Sequence, residues 1–350
     1  MKQIPHLLTN LAENPEYFDE VISLIEREFH YSGKYSFVKD FAPLVNPLNF
    51  ENCFFMIDEI NNKVISHLAL CPRIMTKNNN EIKVGLIGGI ATHKDYRHQG
   101  LFKKLMDHVL EQNKDSFGLW FLWSELTGLY EKFSFHLAGG VMETGNAVFS
   151  ENEKPVGFQK THFSKLSESE LTEIKKLYTS FNELYFFTIK REEKDWAIIF
   201  EMDSIDLFIK KNELGQIEKY FCVNKGQDLV SIIHEIGCKP DKYVQFISQI
   251  KKYRVWLPES ELSLSDSKNI FYMSFIKIGN KDLFNLFLNQ ITNGELTVNE
   301  ISQDQISFTF KDKNHLASLS EFSSYLFGPK PLVEFEKYLL VPYVAGCDSI

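Results

Sequence analysis

Cysteine is scarce in this sequence, and long apolar runs are missing. The five cysteines are widely spaced and form no Cys-x-x-Cys pair, so we expect no disulfide framework, no metal site and a reducing, cytoplasmic location. No apolar run reaches the roughly 18 residues that a membrane-spanning helix needs. The first residues, MKQIPHLLTN, lead into acidic side chains rather than an apolar segment, which argues against a signal peptide.

Positive charge is also in short supply. The chain has 38 Lys and Arg against 47 Asp and Glu, a net charge of −9, which argues against a nucleic-acid partner. A length of 350 residues predicts two or three packed units. Phenylalanine, in contrast, is abundant, with 31 residues against 4 Trp, so we expect cores and pockets lined by rings. The sequence leaves the oligomeric state open.

The apolar spacing of the first part of the chain predicts an antiparallel meander followed by a parallel crossover. Three strands joined by Asn-rich turns favour the meander, and a Gly turn, a helix and a buried strand after them favour the crossover. The predicted strands are 53–60, 63–75, 82–92, 119–123 and 135–149, and the predicted helices are 15–29, 101–116 and 127–133.

The later chain loosely repeats this order, with predicted helices before strands. We therefore expect an α/β (α+β) protein with a mixed sheet flanked by helices, divided into regions 1–152, 153–258 and 259–350. The predicted helices are 168–181 and 191–200, the predicted strands are 205–210, 219–223 and 229–236, and a hairpin is predicted over 296–310.

One segment carries the features of a phosphate site. Arg97-His98-Gln99-Gly100 leads from a predicted strand directly into a predicted helix, and the free N–H groups and dipole of a helix start attract anions. Lys94, Arg97, Lys103 and Lys104 against Asp95 give this stretch a net charge of +3. Neither a Gly-Lys-Ser/Thr loop nor a G-x-G-x-x-G run is present.

Arg-x-x-Gly at a helix start after an antiparallel meander resembles the acetyl-CoA loop of the GNAT family of N-acetyltransferases. Arg97 and Gly100 match the family pattern, whereas Phe102 stands where Gly or Ala is usual. The resemblance implies a GNAT fold in which acetyl-CoA binds as co-substrate. The cofactor-binding residues that it implies are Ile90, Ala91, Thr92, Arg97, His98, Gln99, Gly100, Leu101 and Phe102.

A second segment strengthens the resemblance. Residues 119–139 contain Leu-Tyr-Glu-Lys-Phe, which is similar to the family's second cofactor motif and places its tyrosine at Tyr130, with Ser134 where Gly is common. The residues of this segment most resemble those of the enhanced-intracellular-survival (Eis) type of the family. That type implies tandem GNAT domains, the second without a cofactor loop, and a C-terminal region whose tail closes the active site.

The resemblance also implies a mechanism. A backbone N–H near Ile90 or Ala91 would stabilise the thioester oxygen, with a bulge at Gly88-Gly89, and Tyr130 would protonate the departing thiolate. For the base, Glu125 and His93 are candidates by location, and the Eis type suggests the carboxylate of Ile350. The same residues could instead have purely structural roles: an ordinary loop at Arg97, a core ring at Tyr130, a helix cap at Glu125 and a loose chain end at Ile350.

The expected activity is acetyl transfer to a primary amine of a small molecule or peptide. An acidic protein with an aromatic pocket suits a cationic acceptor. The main alternative is a non-catalytic acyl-CoA-binding or sensing module, which the departures at Phe102 and Ser134 favour. Transfer of a longer acyl or aminoacyl group is a third, weaker option.

Overall fold

The computed structural model describes residues 5–258, 269–330, 333–344 and 346–350. The strands are β1 (His6–Asn10), β2 (Cys53–Asp58), β3 (Lys63–Lys77), β4 (Asn80–Thr92), β5 (Leu119–Leu122), β6 (His136–Thr144), β7 (Gln159–Thr161), β8 (Phe187–Ile189), β9 (Asp206–Lys211), β10 (Ile217–Val223), β11 (Ile233–Cys238), β12 (Val255–Pro258), β13 (Asn269–Ile278), β14 (Leu296–Ile301), β15 (Gln305–Phe310), β16 (Lys313–Ser318) and β17 (Pro342–Tyr343).

The helices flank these strands. They are α1 (Phe18–Glu28), α2 (Phe37–Asp40), α3 (Ala42–Val45), α4 (Leu101–Gln112), α5 (Thr127–Tyr130), α6 (Glu168–Tyr178), α7 (Glu193–Phe200), α8 (Tyr243–Ile250), α9 (Lys281–Thr292) and α10 (Leu319–Phe327). In the part of the chain that the structure describes, none of them is both long and apolar enough to cross a membrane.

The predicted meander and crossover are confirmed. Strands β2, β3 and β4 pair antiparallel in sequence, and β4 pairs parallel with β5 through α4. Helix α1 buries Val21 and Ile25 on one face of these strands, while α4 buries Leu105 and Val109 on the other. Each helix has a single apolar stripe, so each covers one face of the sheet.

One sheet runs through all three regions of the chain. It has 14 strands among the described residues, in the order β1-β2-β3-β4-β5-β13-β6-β12-β11-β10-β9-β7, with β8 paired to β3 and β17 paired to β8. Strand β13, from the region 259–350, lies antiparallel between β5 and β6. The C-terminal region therefore supplies a central strand to residues 1–152, here termed the first unit; residues 153–258 are termed the second unit.

Aromatic side chains fill the core of the second unit, as the phenylalanine content predicts. Phe208 and Phe221 stack at 4.9 Å between centroids, and Phe149 and Phe158 pack on them. Helix α8 covers this face, and α6 and α7 cover the opposite one. The remaining strands, β14 to β16, form a separate three-stranded sheet.

Candidate active site

The pairing between β4 and β5 stops halfway along β4. It ends at Ile87 and Leu122, and no described strand pairs with this edge of β4 beyond that point. On the other edge the register with β3 shifts between His67 and Ala69, and Gly89 has a φ of +59°. The predicted bulge at Gly88-Gly89 is therefore present, and it leaves residues 88–92 with one open edge.

His67, which was not among the predicted site residues, makes a hydrogen bond to the bulge. His67 is fully buried on β3, and its Nδ1 lies 2.7 Å from the carbonyl oxygen of Gly89. Because a carbonyl can only accept, Nδ1 carries the proton. Burial lowers the pKa of His67 to about 4, so the ring is neutral. A single histidine within a strand pattern gives no signal of this contact.

The loop before α4 has the geometry of an anion site. Gly100 is the N-cap of α4 with a φ of +75°, and the first helical bond runs from Lys104 N to Gly100 O at 3.0 Å. The N–H groups of residues 101–103 therefore have no partner within the helix. Residues 97–100 are exposed, and Arg97 binds Glu28 of α1 at 2.6 Å.

Tyr130, at the end of α5, lies among rings. Its centroid is 5.8 Å from that of Phe102 and 5.4 Å from that of Phe275, and the side chain is buried. Burial raises its pKa while a hydrogen bond with Ser124 opposes the shift, so the phenol keeps its proton at neutral pH. Ser134 has a φ of +61°, a conformation that explains why the resembling motif favours Gly there.

The other two candidate bases have different surroundings. Glu125 is exposed, and the N-cap of α5 is Leu126, whose side chain makes no cap bond. His93 is buried, with Nε2 at 2.7 Å from Lys63 Nζ and Nδ1 accepting from the backbone of Asp95 at 3.2 Å. Both nitrogens of His93 are thus engaged in local structure.

The end of the sequence lies against the bulge. A β-carbon built on Gly88 would be 3.1 Å from the carboxyl carbon of Ile350 and 3.2 Å from Leu44 Cδ2. Strand β17 leads the tail in by pairing with β8, and Thr188 Oγ1 donates to Tyr343 O at 2.6 Å. The tail therefore reaches the first unit by way of the second.

Comparison with known proteins assigns this geometry. The family model described as an acetyltransferase (GNAT) domain matches residues 12–138. Residues 12–138, called the GNAT domain from here on, match this model and have the GNAT fold. The match includes the bulged β4, the loop at Arg97–Gly100 and Tyr130. A search of curated protein sequences gave no significant match.

Solved structures share the fold of the whole chain. A GCN5-related N-acetyltransferase from Anabaena variabilis is 14% identical with a TM-score of 0.62, and the alignment covers 99% of this chain and 100% of that one. A probable N-acyltransferase from Enterococcus faecalis is 12% identical at a TM-score of 0.60, covering 92% and 89%. N-myristoyltransferase from Saccharomyces cerevisiae, with bound myristoyl-CoA, is 10% identical with a TM-score of 0.54, and the alignment covers 78% of this chain and 82% of that one.

A cavity opens between the GNAT domain and the second unit. It has a volume of about 520 Å³, and Asp40, Asp203 and Asp206 are among its lining residues, together with Lys34 and Lys39. Asp40 is almost fully buried, and its Oδ2 has no hydrogen-bond partner among the described residues. Burial raises the pKa of Asp40.

Proposed function

We propose that the protein is an acetyl-CoA-dependent N-acetyltransferase that transfers the acetyl group directly to a primary amine of a cationic acceptor. The GNAT domain supports acyl transfer in general. The observation that carries the finer proposal is the position of Ile350 against Gly88, next to the bulge of β4. A carboxylate there would stand beside the point where a thioester could lie.

The residues of the GNAT domain divide the work of binding acetyl-CoA. The free N–H groups at the start of α4 and the basic side chains around Arg97 would take the pyrophosphate. Gly100 leaves room for it, since a β-carbon there would meet nothing within 4 Å. The open edge of residues 90–92 would pair with the amide groups of the pantetheine arm.

The transfer forms a C–N bond and breaks the thioester C–S bond. A backbone N–H near Ile90 or Ala91 would stabilise the oxyanion, in a geometry that His67 fixes through Gly89. The carboxylate of Ile350 would take a proton from the acceptor ammonium, and Tyr130 would give its proton to the departing thiolate. The second proton that the nitrogen loses as the amide forms would restore the phenol of Tyr130. The raised pKa of Tyr130 keeps that proton in place until it is needed.

The acidic cavity is the proposed acceptor site. Gly226 lines it, and the preceding residue, Lys225, binds the tail at Ser349. The cavity and the tail are therefore neighbours. The three carboxylates in its lining, Asp40, Asp203 and Asp206, outnumber the ammonium groups of Lys34 and Lys39 and favour a cationic acceptor.

One observation favours the alternative, a non-catalytic acyl-CoA-binding module. Phe102 packs edge-on against both Tyr130 and Phe133, at the position where the resembling motif has a small residue. The ring encloses the phenol that the transfer would use. Binding without turnover is the behaviour that this arrangement would give.

Release of free thiol from acetyl-CoA tests the two functions. We expect release with primary amines, a KM that falls from singly to multiply charged amines, and acetylated amine by mass spectrometry. Deleting Ile350 should lower kcat while the Kd for acetyl-CoA stays the same. Measurable acetyl-CoA binding with no amine-dependent release would refute the transferase proposal and support the binding module.

A further inference from the structure

A buried lysine holds the tail of the chain. Lys225 follows β10, and its Nζ donates to Gly346 O at 2.5 Å, Ser349 O at 2.8 Å and Ser349 Oγ at 2.7 Å. An ammonium group has three protons, so these contacts use its whole donor capacity. The side chain is 2% exposed. Its polar contacts are thus all made with the last residues of the chain.

A buried arginine binds the tail at a second point. Arg191 Nε and Nη2 lie 2.9 and 2.7 Å from Asp348 Oδ2, and Nη1 lies 3.1 Å from Glu235 Oε1. The rings of Tyr178 and Trp196 cover the guanidinium, with centroids 3.8 and 4.6 Å from its central carbon. All three charged side chains are buried. Arg191, which follows β8, therefore ties the tail to β11.

Cys347 adds a third contact. The ligand atoms of Cys222, Glu235 and Cys347 all lie within 4.8 Å of one another, a grouping that could hold a metal ion. Glu235, however, already accepts from Arg191 and from Tyr220 at 2.8 Å. Burial raises the pKa of both thiols, so they stay protonated. The contacts favour a hydrogen-bonded thiol pair that joins β10 to the tail.

Each of residues 346–349 is thus fixed by the second unit. Gly346 also packs on His234, whose ring occupies the place of a β-carbon. Ile350 alone points away, toward Gly88 of the GNAT domain. Most chain ends are mobile, and a buried ion pair is weak support for stability. The arrangement calls for a reason other than holding the fold together.

We infer that Arg191, Lys225 and Glu235, here termed the C-terminal clamp, are positioning residues that fix the carboxylate of Ile350 beside the β4 bulge. The inference rests on the proposed function, because a general base must be held within hydrogen-bond reach of the acceptor nitrogen. In this proposal the function of the second unit is to position the end of the chain at the active site of the first unit.

Lys225→Met is the variant that tests the clamp, with Lys219→Met as its matched control. Lys219 is a buried lysine of the same strand region, but it packs on Phe246 instead of the tail. Two readouts are measured on the full chain. The first is removal of Ile350 by a broad-specificity carboxypeptidase, followed by mass spectrometry. The second is kcat and the Kd for acetyl-CoA in the thiol-release assay.

The wild type and Lys219→Met should keep Ile350 under digestion, whereas Lys225→Met should lose it. We expect kcat of Lys225→Met to fall about 10²-fold, with an unchanged Kd for acetyl-CoA. If Lys225→Met does not fold, Asp348→Asn carries the same test, because it keeps the side-chain shape and removes the charge that Arg191 binds.

The outcomes separate the clamp from the proposed function. Rapid loss of Ile350 from the wild type would overturn the clamp, and so would a released tail with wild-type kcat in the variant. A wild type that holds Ile350, loses it in Lys225→Met and yet shows no turnover would leave the clamp standing and reject the transferase. Loss of both protection and kcat in the variant supports the two together.

Discussion

Acid is expected to destabilise the protein because two fully buried histidines cannot readily take up a proton in the folded state. His67 and His234 each have one ring nitrogen at a backbone carbonyl, 2.7 Å from Gly89 O and 2.8 Å from Asn224 O. The other nitrogen of each ring has no hydrogen-bond partner among the described residues. Burial, the main cause, lowers the pKa of both to about 4.

The size of the effect follows from these values. An unfolded histidine has a pKa of about 6.5, so between pH 6.5 and 4 the unfolded chain binds protons that the folded chain does not, and the free energy of unfolding falls as the pH falls. At about 1.4 kcal/mol per pKa unit, each histidine removes about 3 kcal/mol by pH 4. Two of them remove about 6 kcal/mol, a large share of the 5–15 kcal/mol typical of a folded protein.

Urea unfolding at pH 7, 6 and 5 measures this slope. His67→Asn keeps a donor near the Nδ1 position and His234→Gln keeps one near Nε2, but neither variant titrates. We expect the double variant to lose less stability than the wild type between pH 7 and 5, while a control at the exposed His98, His98→Asn, keeps the wild-type slope. Equal slopes in the double variant and the wild type would refute the reasoning. Glu170 accepts a hydrogen bond from Lys211 that lowers its pKa to about 2. Its stabilising effect is complete at pH 5 and above and is lost only as the pH falls below about 4.5, so it does not affect this slope.

Three further variants test the active site. Tyr130→Phe keeps the ring packing and should lower kcat about 10²-fold with little change in the Kd for acetyl-CoA; full activity would remove the phenol from the mechanism. Gly100→Trp should abolish acetyl-CoA binding by calorimetry, whereas Gly215→Trp, which has the same open space and a positive φ, should bind normally. Gly88→Ala should displace Ile350 and lower kcat about tenfold, with retained acetyl-CoA binding; an unaffected kcat would argue against the carboxylate as base.

Much of the first unit was predictable because its signals are local. The meander over β2 to β4 and the helix after Gly100 follow from apolar period and from glycine, which depend on near neighbours in sequence. The bulge at Gly88-Gly89 was expected from the family resemblance. The short edge strand β1 was not predicted, because five residues at a sheet edge give a weak pattern.

The long-range parts of the site were not predictable from pattern. Strand β13 lies between β5 and β6, although more than a hundred residues of chain separate it from β6. Its own sequence does not indicate which strands it pairs with. The same holds for Arg191, Lys225 and His67. The role of each comes from a contact that only the folded chain creates.

The place of β13 also sets an order of events during synthesis. Strands β5 and β6 of the GNAT domain are separated by a gap that is filled only when residues 269–278 have left the ribosome. Until then each of the two strands presents an unpaired edge, the kind of surface on which other chains can add. A fragment that ends at residue 152 would keep both edges permanently, so expression of the first unit alone is expected to yield aggregated protein.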